Sequence, residues 1–177
     1  MTSKNRLALL ASTASLCLAA GVVTAGDAEA ATSWRTLKFT HGSNICLSLQ
    51  SKASTKKGKR TQIRKCNGGA AQLWRIDRFK YHGKYLAKLH PGTATSTCLD
   101  AKKSEKLGSG WHLHAAKCSS SASQKWKYVL SNTGSYFTAQ NYSTNLCVNA
   151  YKKGKKSGTW VGTAKCTSKA GQILLVA

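Results

Sequence analysis

Residues 98–126 read CLDAKKSEKLGSGWHLHAAKCSSSASQKW, and this stretch determines the fold prediction for the chain. It begins with Cys98-Leu99-Asp100, reaches a second cysteine at Cys118 and closes with Gln124-Lys125-Trp126. Such a pattern becomes informative when it recurs, because self-similarity at a fixed period indicates an architecture that local propensity does not reveal.

Two further copies of the pattern are present, one on each side of this stretch. They contain Cys46-Leu47-Ser48, Cys66 and Gln72-Leu73-Trp74 in the first copy, and Cys147-Val148-Asn149, Cys166 and Gln172-Ile173-Leu174 in the third. The two cysteines are 20, 20 and 19 residues apart, and the first cysteine precedes the glutamine by 26, 26 and 25 residues. This regularity predicts three repeats, at about 34–79, 80–130 and 131–177.

The repeats have the character of β-structure. Short runs typical of strands, such as 45–49, 61–65 and 72–76, are separated by stretches rich in Gly, Ser, Asn and Lys. Beyond the N-terminal segment no long run has helical periodicity. Each copy is too small to bury its own apolar face, so the three should close around a shared pseudo-threefold core. We predict an all-β fold.

Residues 1–30 have the order of a secretory signal peptide. Lys4 and Arg6 precede an apolar run, and the triplet 28–30, Ala-Glu-Ala, supplies small residues for cleavage. The run approaches the length of a membrane span, so an uncleaved anchor is the alternative, but serines and threonines dilute it. We expect cleavage, which leaves a secreted single domain of residues 31–177 without a membrane anchor.

The chain is strongly cationic. It has 28 Lys and Arg against 5 Asp and Glu, a net charge of +23, and residues 1–30 contain two of each sign, so residues 31–177 also have a net charge of +23. Such a field concentrates polyanions whatever the fold. Lysine outnumbers arginine 22 to 6, which favours point-charge attraction over bidentate recognition. The charge therefore predicts a broad class of anionic partners.

A Cys-Leu-Asp start, a second cysteine about twenty residues later and a closing Gln-x-Trp resemble the ricin B-type lectin repeat, which is also found in carbohydrate-binding modules of bacterial glycosidases. The resemblance covers essentially all of residues 34–177. It implies a β-trefoil with three pseudo-symmetric repeats, in a secreted bacterial protein. We interpret Trp74, Trp126 and Leu174 as core residues, because an aromatic or aliphatic residue at one place in every copy is more often structural than ligand-binding.

Six cysteines remain after residues 1–30, and an even number in a secreted chain indicates disulfides rather than a metal site. Spacing alone leaves 15 pairings open. With the trefoil that the resemblance implies, repeat symmetry favours one bond inside each copy, each contributing about 3 kcal/mol in the chain-entropy model. The predicted bonds are Cys46–Cys66, Cys98–Cys118 and Cys147–Cys166.

The resemblance also implies a sugar pocket in each repeat. Its parts are an aspartate two residues after the first cysteine, a polar residue four before the second cysteine, an aromatic two before it, and a polar residue ahead of the glutamine. The carboxylate accepts from sugar hydroxyls and the ring stacks on an apolar sugar face.

The second repeat retains the most of this pocket. It has Asp100, His114 at the polar position and Gln124 at the close, but Ala116 stands where the ring should be. Trp111 lies nearby in sequence and is our candidate for a ring supplied from a shifted position. The alternative is that Asp100 is a turn residue and Trp111 shields a strand edge.

The first and third pockets are eroded by the same test. In the first copy Ser48 replaces the aspartate and Arg64 the ring. In the third, Asn149, Gly162 and Ala164 occupy the three positions. We expect neither to bind sugar, unless Trp160 replaces the missing ring of the third.

Lysines are concentrated in the stretch between the two cysteines of every repeat. They are Lys52, Lys56, Lys57 and Lys59 with Arg60, then Lys102, Lys103 and Lys106, then Lys152, Lys153, Lys155 and Lys156. One such run is usually a solvated face. Three in equivalent loops predict cationic patches near the ancestral pockets, and we assign polyanion binding to Lys56, Lys57, Lys59, Lys102, Lys103, Lys152, Lys153, Lys155 and Lys156.

These features favour a binding protein over an enzyme. Asp77, Asp100 and Glu105 fall in different loops, whereas a glycosidase needs two facing carboxylates. His112 and His114 are a weak metal signal without a third ligand, and we predict no metal and no cofactor. The predicted partners are glycans or anionic cell-surface polymers.

Three alternatives remain open for the partner. The first is a lectin-like adapter or subunit of a secreted toxin or antimicrobial assembly, which would bind another protein. A protease inhibitor of the same fold is weaker, because no rigid inhibitory loop is evident. Non-specific nucleic-acid binding stays open through the charge, although there is neither a recognition helix nor a stacking platform.

Overall fold

A computed structural model describes residues 33–50, 58–101, 103, 105–130, 136–167, 169–172 and 174–177. All of them belong to one unit, Ala31–Ala177. The predicted signal peptide lies outside the described residues, as do Lys52, Lys56, Lys57 and Lys102 of the lysine clusters. Within the described ranges, no helix is long and apolar enough to cross a membrane.

Short β-strands dominate these residues, which confirms the all-β prediction. The strands are β1 (Arg35–Phe39), β2 (Ile45–Leu49), β3 (Lys59–Lys65), β4 (Leu73–Tyr81), β5 (Lys84–Pro91), β6 (Thr97–Asp100), β7 (Lys106–Leu107), β8 (Gly110–Trp111), β9 (His114–Lys117), β10 (Trp126–Leu130), β11 (Tyr136–Asn141), β12 (Cys147–Ala150), β13 (Val161–Ala164) and β14 (Leu174–Val176). Short 3-10 turns lie at Ala70–Gln72, Ala122–Gln124, Tyr151–Lys153 and Ala170–Gln172. Gln72 therefore ends a turn, and the strand expected to include it begins at Leu73.

Six strands close into a barrel, two from each repeat. β1 pairs with β4, β4 with β5, β5 with β10, β10 with β11, β11 with β14 and β14 with β1, all antiparallel. Closure leaves none of these six strands with an unpaired edge, which is how small β-domains avoid edge-to-edge association.

Three hairpins, β2–β3, β6–β9 and β12–β13, complete the fold and meet at a pseudo-threefold axis. The Thr61 N–H donates to the Leu113 carbonyl at 3.0 Å, and the Leu113 N–H donates to the Val161 carbonyl at 3.4 Å. The Thr61 hydroxyl returns to the Val161 carbonyl at 3.2 Å. All three residues are fully buried. A closed six-stranded barrel with three joined hairpins is the predicted β-trefoil.

The closing residues of the repeats lie in the core, as predicted. Trp74, Trp126 and Leu174 have no exposed surface. The Trp74 indole N–H donates to the Leu47 carbonyl, and the Trp126 indole N–H donates to the Leu99 carbonyl, both at 3.0 Å. Both polar handles are thus satisfied inside the core, whereas Leu174 fills the third position without one.

The repeat glutamines hold the backbone on both sides of the second cysteine. Each Nε2 donates to the carbonyl before that cysteine, and each Oε1 accepts from the N–H after it. The partners are Lys65 and Asn67 for Gln72, Lys117 and Ser119 for Gln124, and Lys165 and Thr167 for Gln172, at 2.8–2.9 Å. The glutamine of the motif is therefore a structural clamp.

All three predicted disulfides are confirmed, one inside each repeat. They join Cys46 to Cys66, Cys98 to Cys118 and Cys147 to Cys166, with Cα–Cα distances of 5.1, 5.0 and 5.0 Å. Each links the first strand of a hairpin to the residues just after its second strand, so the bonds fix the open ends of the hairpins that frame the predicted pockets.

Candidate functional site

The strand register brings the predicted pocket positions together in every repeat. In the second repeat Asp100 lies opposite His114 across β6 and β9, and Cys98 lies opposite Ala116. Ser48 faces Gln62 in the first repeat, and Asn149 faces Gly162 in the third. Directly opposed residues share one face of a sheet, so aspartate and polar positions adjoin as the resemblance implied.

Asp100 is the best-defined candidate group. Its Oδ2 accepts a hydrogen bond from Gln124 Nε2 at 3.0 Å, while its Oδ1 is buried without a hydrogen-bond partner among the described residues. A buried carboxylate oxygen that lacks a donor is costly. One oxygen of Asp100 is therefore fixed by the protein, and the other has unused acceptor capacity.

Gln124 positions Asp100 and is not free to bind a ligand itself. Both hydrogens of its amide are used, one on Asp100 and one on the Lys117 carbonyl, and its oxygen accepts from Ser119. The side chain is 2% exposed. Among the four residues predicted to bind ligand, Gln124 thus acts through Asp100.

His114 faces an ion pair that joins the first repeat to the second. Its Nε2 lies 3.1 Å from Glu105 Oε2, and the same oxygen accepts from Arg60 Nε at 2.8 Å. Burial raises the pKa of Glu105, but the hydrogen bond and charge of Arg60, with smaller contributions from His114 and His112, lower it overall. Arg60 also lies opposite His114 across β3 and β9. The predicted polar group of the pocket is thereby held by Glu105.

His112 lies near Arg60, Glu105 and His114 and contacts Trp160. Its ring meets that of Trp160 edge-on at 5.5 Å, and its buried Nδ1 has no partner among the described residues. Burial lowers the pKa of His112, and the nearby Arg60 charge lowers it further, while Glu105 opposes the shift. The sequence interpretation treated the two histidines as a weak metal pair and missed the carboxylate and guanidinium between the repeats.

Trp111 lies at the border between the second and third repeats. Its backbone N–H donates to Thr163 Oγ1 at 3.1 Å. Its carbonyl oxygen is so close to Gly162 that a β-carbon on Gly162 would lie 2.5 Å from it. The indole is half-buried, with the Lys106 ammonium 4.0 Å from the ring centroid. The backbone of Trp111 is thus bound to the third repeat, while Ala116 occupies the ring position of the second pocket.

The polar position of the third pocket, Gly162, is covered closely by the second repeat. A β-carbon at Gly162 would also meet Leu107 Cδ2 at 2.6 Å, and one at Gly171 would lie 3.6 Å from Lys153 Cγ. The Asn149 amide donates to the Ala150 carbonyl at 2.9 Å. Leu107 thus occupies the space that a side chain at Gly162 would need, whereas a β-carbon at Gly171 would make only an ordinary contact with the Lys153 stem.

Trp160 of the third repeat adjoins the first pocket. Trp160 lies opposite Gln62 of the first repeat, and the Arg60 guanidinium carbon is 5.5 Å from its ring centroid. The Ser48 hydroxyl donates to the Leu49 carbonyl, and Arg64 is exposed at the ring position. Trp160 therefore contributes to the junction of the repeats.

The described lysines of the three clusters remain at the surface. Lys103, Lys106, Lys152, Lys153, Lys155 and Lys156 are exposed and Lys59 is half-buried. Within the described ranges, every salt bridge of Asp77 and Glu105 is to arginine or histidine and none is to lysine. The described lysines of the clusters are therefore not paired with Asp77 or Glu105.

One group of potential metal ligands occurs among the described residues, and the sequence interpretation did not identify it. It comprises His90, Cys98 and Cys118, with His90 Nδ1 3.5 Å from Cys118 Sγ. Both sulfurs belong to a disulfide, so they are not thiolate ligands. Burial lowers the pKa of His90, although its partner Asp77 opposes the shift.

The barrel, the three joined hairpins and the repeated pocket positions define a lectin-type β-trefoil. The chain belongs to the family of ricin-type beta-trefoil lectin domains, which matches residues 33–173. A search of curated proteins returned no match.

Solved structures with the same fold include a designed protein and two natural ones. The designed threefold-symmetric protein ThreeFoil has a TM-score of 0.69 at 19% identity, covering 81% of this chain and 97% of ThreeFoil. A mosquitocidal holotoxin has a TM-score of 0.70 at 18% identity, covering 82% of this chain and 17% of the toxin. The Polyporus squamosus lectin, bound to a human-type influenza-binding epitope, has a TM-score of 0.65 at 14% identity, covering 82% of this chain and 48% of the lectin. At these identities the likeness is one of fold.

Proposed function

We propose that this chain is a secreted, non-enzymatic carbohydrate-binding protein whose second repeat takes a sugar hydroxyl at Asp100. The observation that carries this proposal is the difference between the two carboxylate oxygens of Asp100. Oδ2 accepts from Gln124, while Oδ1 is buried and has no donor among the described residues. A sugar hydroxyl supplies the missing donor. Membership of a lectin family makes a glycan the expected source of that hydroxyl.

In this proposal the lysine clusters bind the negatively charged groups of the ligand. Ala116 offers no ring for stacking, so the pocket alone has little apolar area for affinity. The exposed Lys103 lies beyond β6, three residues after Asp100. A glycan or cell-surface polymer that carries negative charge gains from both groups, and the +23 field accelerates its association.

Secretion is part of the proposal. Residues 1–30 have the order of a signal peptide, and three disulfides are typical of proteins that fold in an oxidising compartment. The family is consistent with a non-catalytic role, and the described carboxylates Asp77 and Glu105 are each held by an arginine and a histidine.

A glycan array read at low salt and at about 0.5 M salt, where charges are screened within a few Å, tests the pocket. Asp100→Asn should abolish binding to neutral sugars that survives high salt. Asp77→Asn is the matched control, because it makes the same charge change in β4 and should leave that binding intact. Equal binding by both variants would refute a sugar site at Asp100.

The adapter interpretation is the principal rival and the same experiment addresses it. An array without any salt-resistant or salt-sensitive glycan binding, together with a protein that co-purifies with the chain in stoichiometric amount, would favour the subunit role. Loss of array binding in high salt and in Lys103→Gln would favour charge over pocket chemistry.

A further inference from the structure

The β7–β8 hairpin of the second repeat is docked closely on the third repeat. A β-carbon at Gly110 would lie 1.5 Å from the Thr163 carbonyl oxygen, a distance that only glycine permits. Gly162 likewise permits a close approach from the opposite side, because a β-carbon there would lie 2.5 Å from the Trp111 carbonyl oxygen. A bridge between His112 and Gly162 continues the pairing. The position of the hairpin is thus set by backbone contacts.

This docking places two aromatic residues that are 40 residues apart in sequence, Trp111 and Tyr151, at the same hairpin. The ring of Tyr151 lies over the hairpin turn, where a β-carbon at Gly108 would be 3.0 Å from Tyr151 Cε2. Trp111 ends the same hairpin opposite Lys106. Both rings are half-buried, so each retains accessible surface beside the turn.

Lysines accompany both rings. The Lys106 ammonium is 4.0 Å from the Trp111 ring centroid, and the Lys152 ammonium is 5.5 Å from that of Tyr151. Lys106 and Lys152 are exposed. Members of two lysine clusters that the sequence assigns to separate repeats therefore adjoin one hairpin. We call its surroundings the junction surface and define it as Lys106, Trp111, Tyr151 and Lys152.

The backbone that presents Lys152 is strained. Lys152 and Lys153 are consecutive non-glycine residues with φ of 49° and 53°, a left-handed conformation that is unfavourable for residues with a β-carbon and tends to persist at ligand sites. Among the described residues, no ion pair joins a lysine to a carboxylate. The ammonium groups of the junction surface therefore have no internal counter-ion there.

We infer that the junction surface is a second binding site, specific for acidic glycans. Aromatic rings accept the apolar faces of sugars, and the two ammonium groups beside them pair with a carboxylate or sulfate on the same sugar chain. A simple polyanion needs only charge, whereas this surface combines charge with rings. The inference rests on the proposed carbohydrate-binding function but uses β7, β8 and the 151–153 turn, none of which contributes Asp100.

Calorimetric titration of the secreted chain with short glycans of equal length tests the site. The probes are a heparin-derived sulfated oligomer, an oligogalacturonate and an uncharged maltooligosaccharide. Trp111→Ala and Tyr151→Ala should each weaken binding of at least one acidic oligomer about tenfold or more at moderate salt. Tyr85→Ala, which removes a 78% exposed ring on β5, is the control for the two ring variants and should have little effect. Lys84→Gln is the corresponding control for Lys106→Gln and should likewise have little effect.

Gly108→Ala tests the juxtaposition without removing a ligand-binding side chain. It should weaken acidic-oligomer binding, because its β-carbon pushes on Tyr151. Gly68→Ala imposes the same left-handed strain, with φ +68° against +61°, but its β-carbon meets nothing within 4 Å, so it should bind as the parent does. This pair separates the local contact from a general loss of folding.

The two sites fail independently. Asp100→Asn should remove neutral-sugar binding and leave acidic-oligomer binding at the junction surface, whichever of sulfate and carboxylate is preferred. The inference is overturned if Trp111→Ala and Tyr151→Ala bind the acidic oligomers as tightly as Tyr85→Ala does. It is also overturned if a single-stranded oligonucleotide of equal charge binds as tightly with the same sensitivity, since the surface would then not select sugars.

Discussion

Gln124 donates from Nε2 to Oδ2 of Asp100 at 3.0 Å, so the residue that closes the second repeat also holds the carboxylate at its start. Gln72 makes the same two backbone contacts in the first repeat, but the equivalent of Asp100 there is Ser48. The clamp is common to the repeats, and among them only the second has an aspartate to hold.

This relationship predicts different outcomes for two matched substitutions. Gln124→Leu and Gln72→Leu each leave buried backbone groups without partners and should lower the free energy of unfolding by about 1–3 kcal/mol. Because Gln124 also positions Asp100, Gln124→Leu should weaken neutral-sugar binding further than its stability loss explains. Denaturant unfolding and sugar titration below the unfolding transition measure the two effects. Equal sugar affinity in both variants would contradict a positioning role.

The repeat spacing was sufficient to predict an all-β fold of three repeats. The β-trefoil and the disulfide pairing followed only once the resemblance to the ricin B-type lectin repeat was added to that spacing. The candidate site was only partly predictable. Asp100 and His114 were found by position within the repeat, and the register places them opposite each other. Their direct partners, Gln124 and Glu105, lie in the same repeat, but Arg60 reaches Glu105 from the first copy, and no pattern within one repeat could show that.

The β7–β8 hairpin shows why sequence alone could not complete the site. Trp111 was assigned to the second pocket, but its backbone contacts lie on β13 of the third repeat. Gly110 and Gly162 were the available signal, since glycine permits close backbone approach, and they lie against the carbonyl oxygens of Thr163 and Trp111. One sequence does not reveal which backbone each glycine faces.

The Glu105 ion pair should contribute measurably to stability. Glu105→Gln removes the charge between Arg60 and His114, and with side chains 24% and 16% exposed for Arg60 and Glu105 we expect a loss of about 1–3 kcal/mol. Asp77→Asn, in the more exposed pair with Arg75, should lose less. Urea unfolding at neutral pH compares the two variants, and a larger loss for Asp77→Asn would contradict the ranking.

Glu105 should also shape the acid limb of the stability curve. Its folded-state pKa lies below the ordinary value of 4.5, so the folded state releases the proton more readily than the unfolded state does. The resulting stabilisation is complete above about pH 4.5 and disappears as the pH falls through the folded-state pKa. Glu105→Gln should flatten this decline in a series of unfolding measurements from neutral to acid pH. An unchanged acid limb would show that Glu105 does not contribute to it.

His112 should make the protein less stable in mild acid. Burial lowers its folded-state pKa below 6.5, so the unfolded state binds the proton first as the pH falls. Stability should therefore decline below about pH 6.5 until the folded-state pKa is reached. His112→Gln should reduce this decline, whereas His82→Gln, at the exposed β4–β5 turn, should leave it in place. Thermal unfolding at closely spaced pH values provides the measurement, and identical curves for both variants would rule out His112 as the cause.

A lysine in the second repeat contributes through an aromatic ring rather than a carboxylate. Lys125 is 5% exposed, and its ammonium lies 3.4 Å from the Tyr81 ring centroid. A desolvated cation–π contact contributes on the order of 0.5–2 kcal/mol. A double-mutant cycle with Lys125→Met and Tyr81→Leu should give a coupling energy in that range, because methionine keeps the apolar stem and loses only the charge. The cycle of Lys127→Met with Tyr142→Leu, whose groups are 5.9 Å apart, is the comparison and should give a smaller value. Equal coupling in the two cycles would mean that the ammonium of Lys125 gains nothing from its closer approach to the ring.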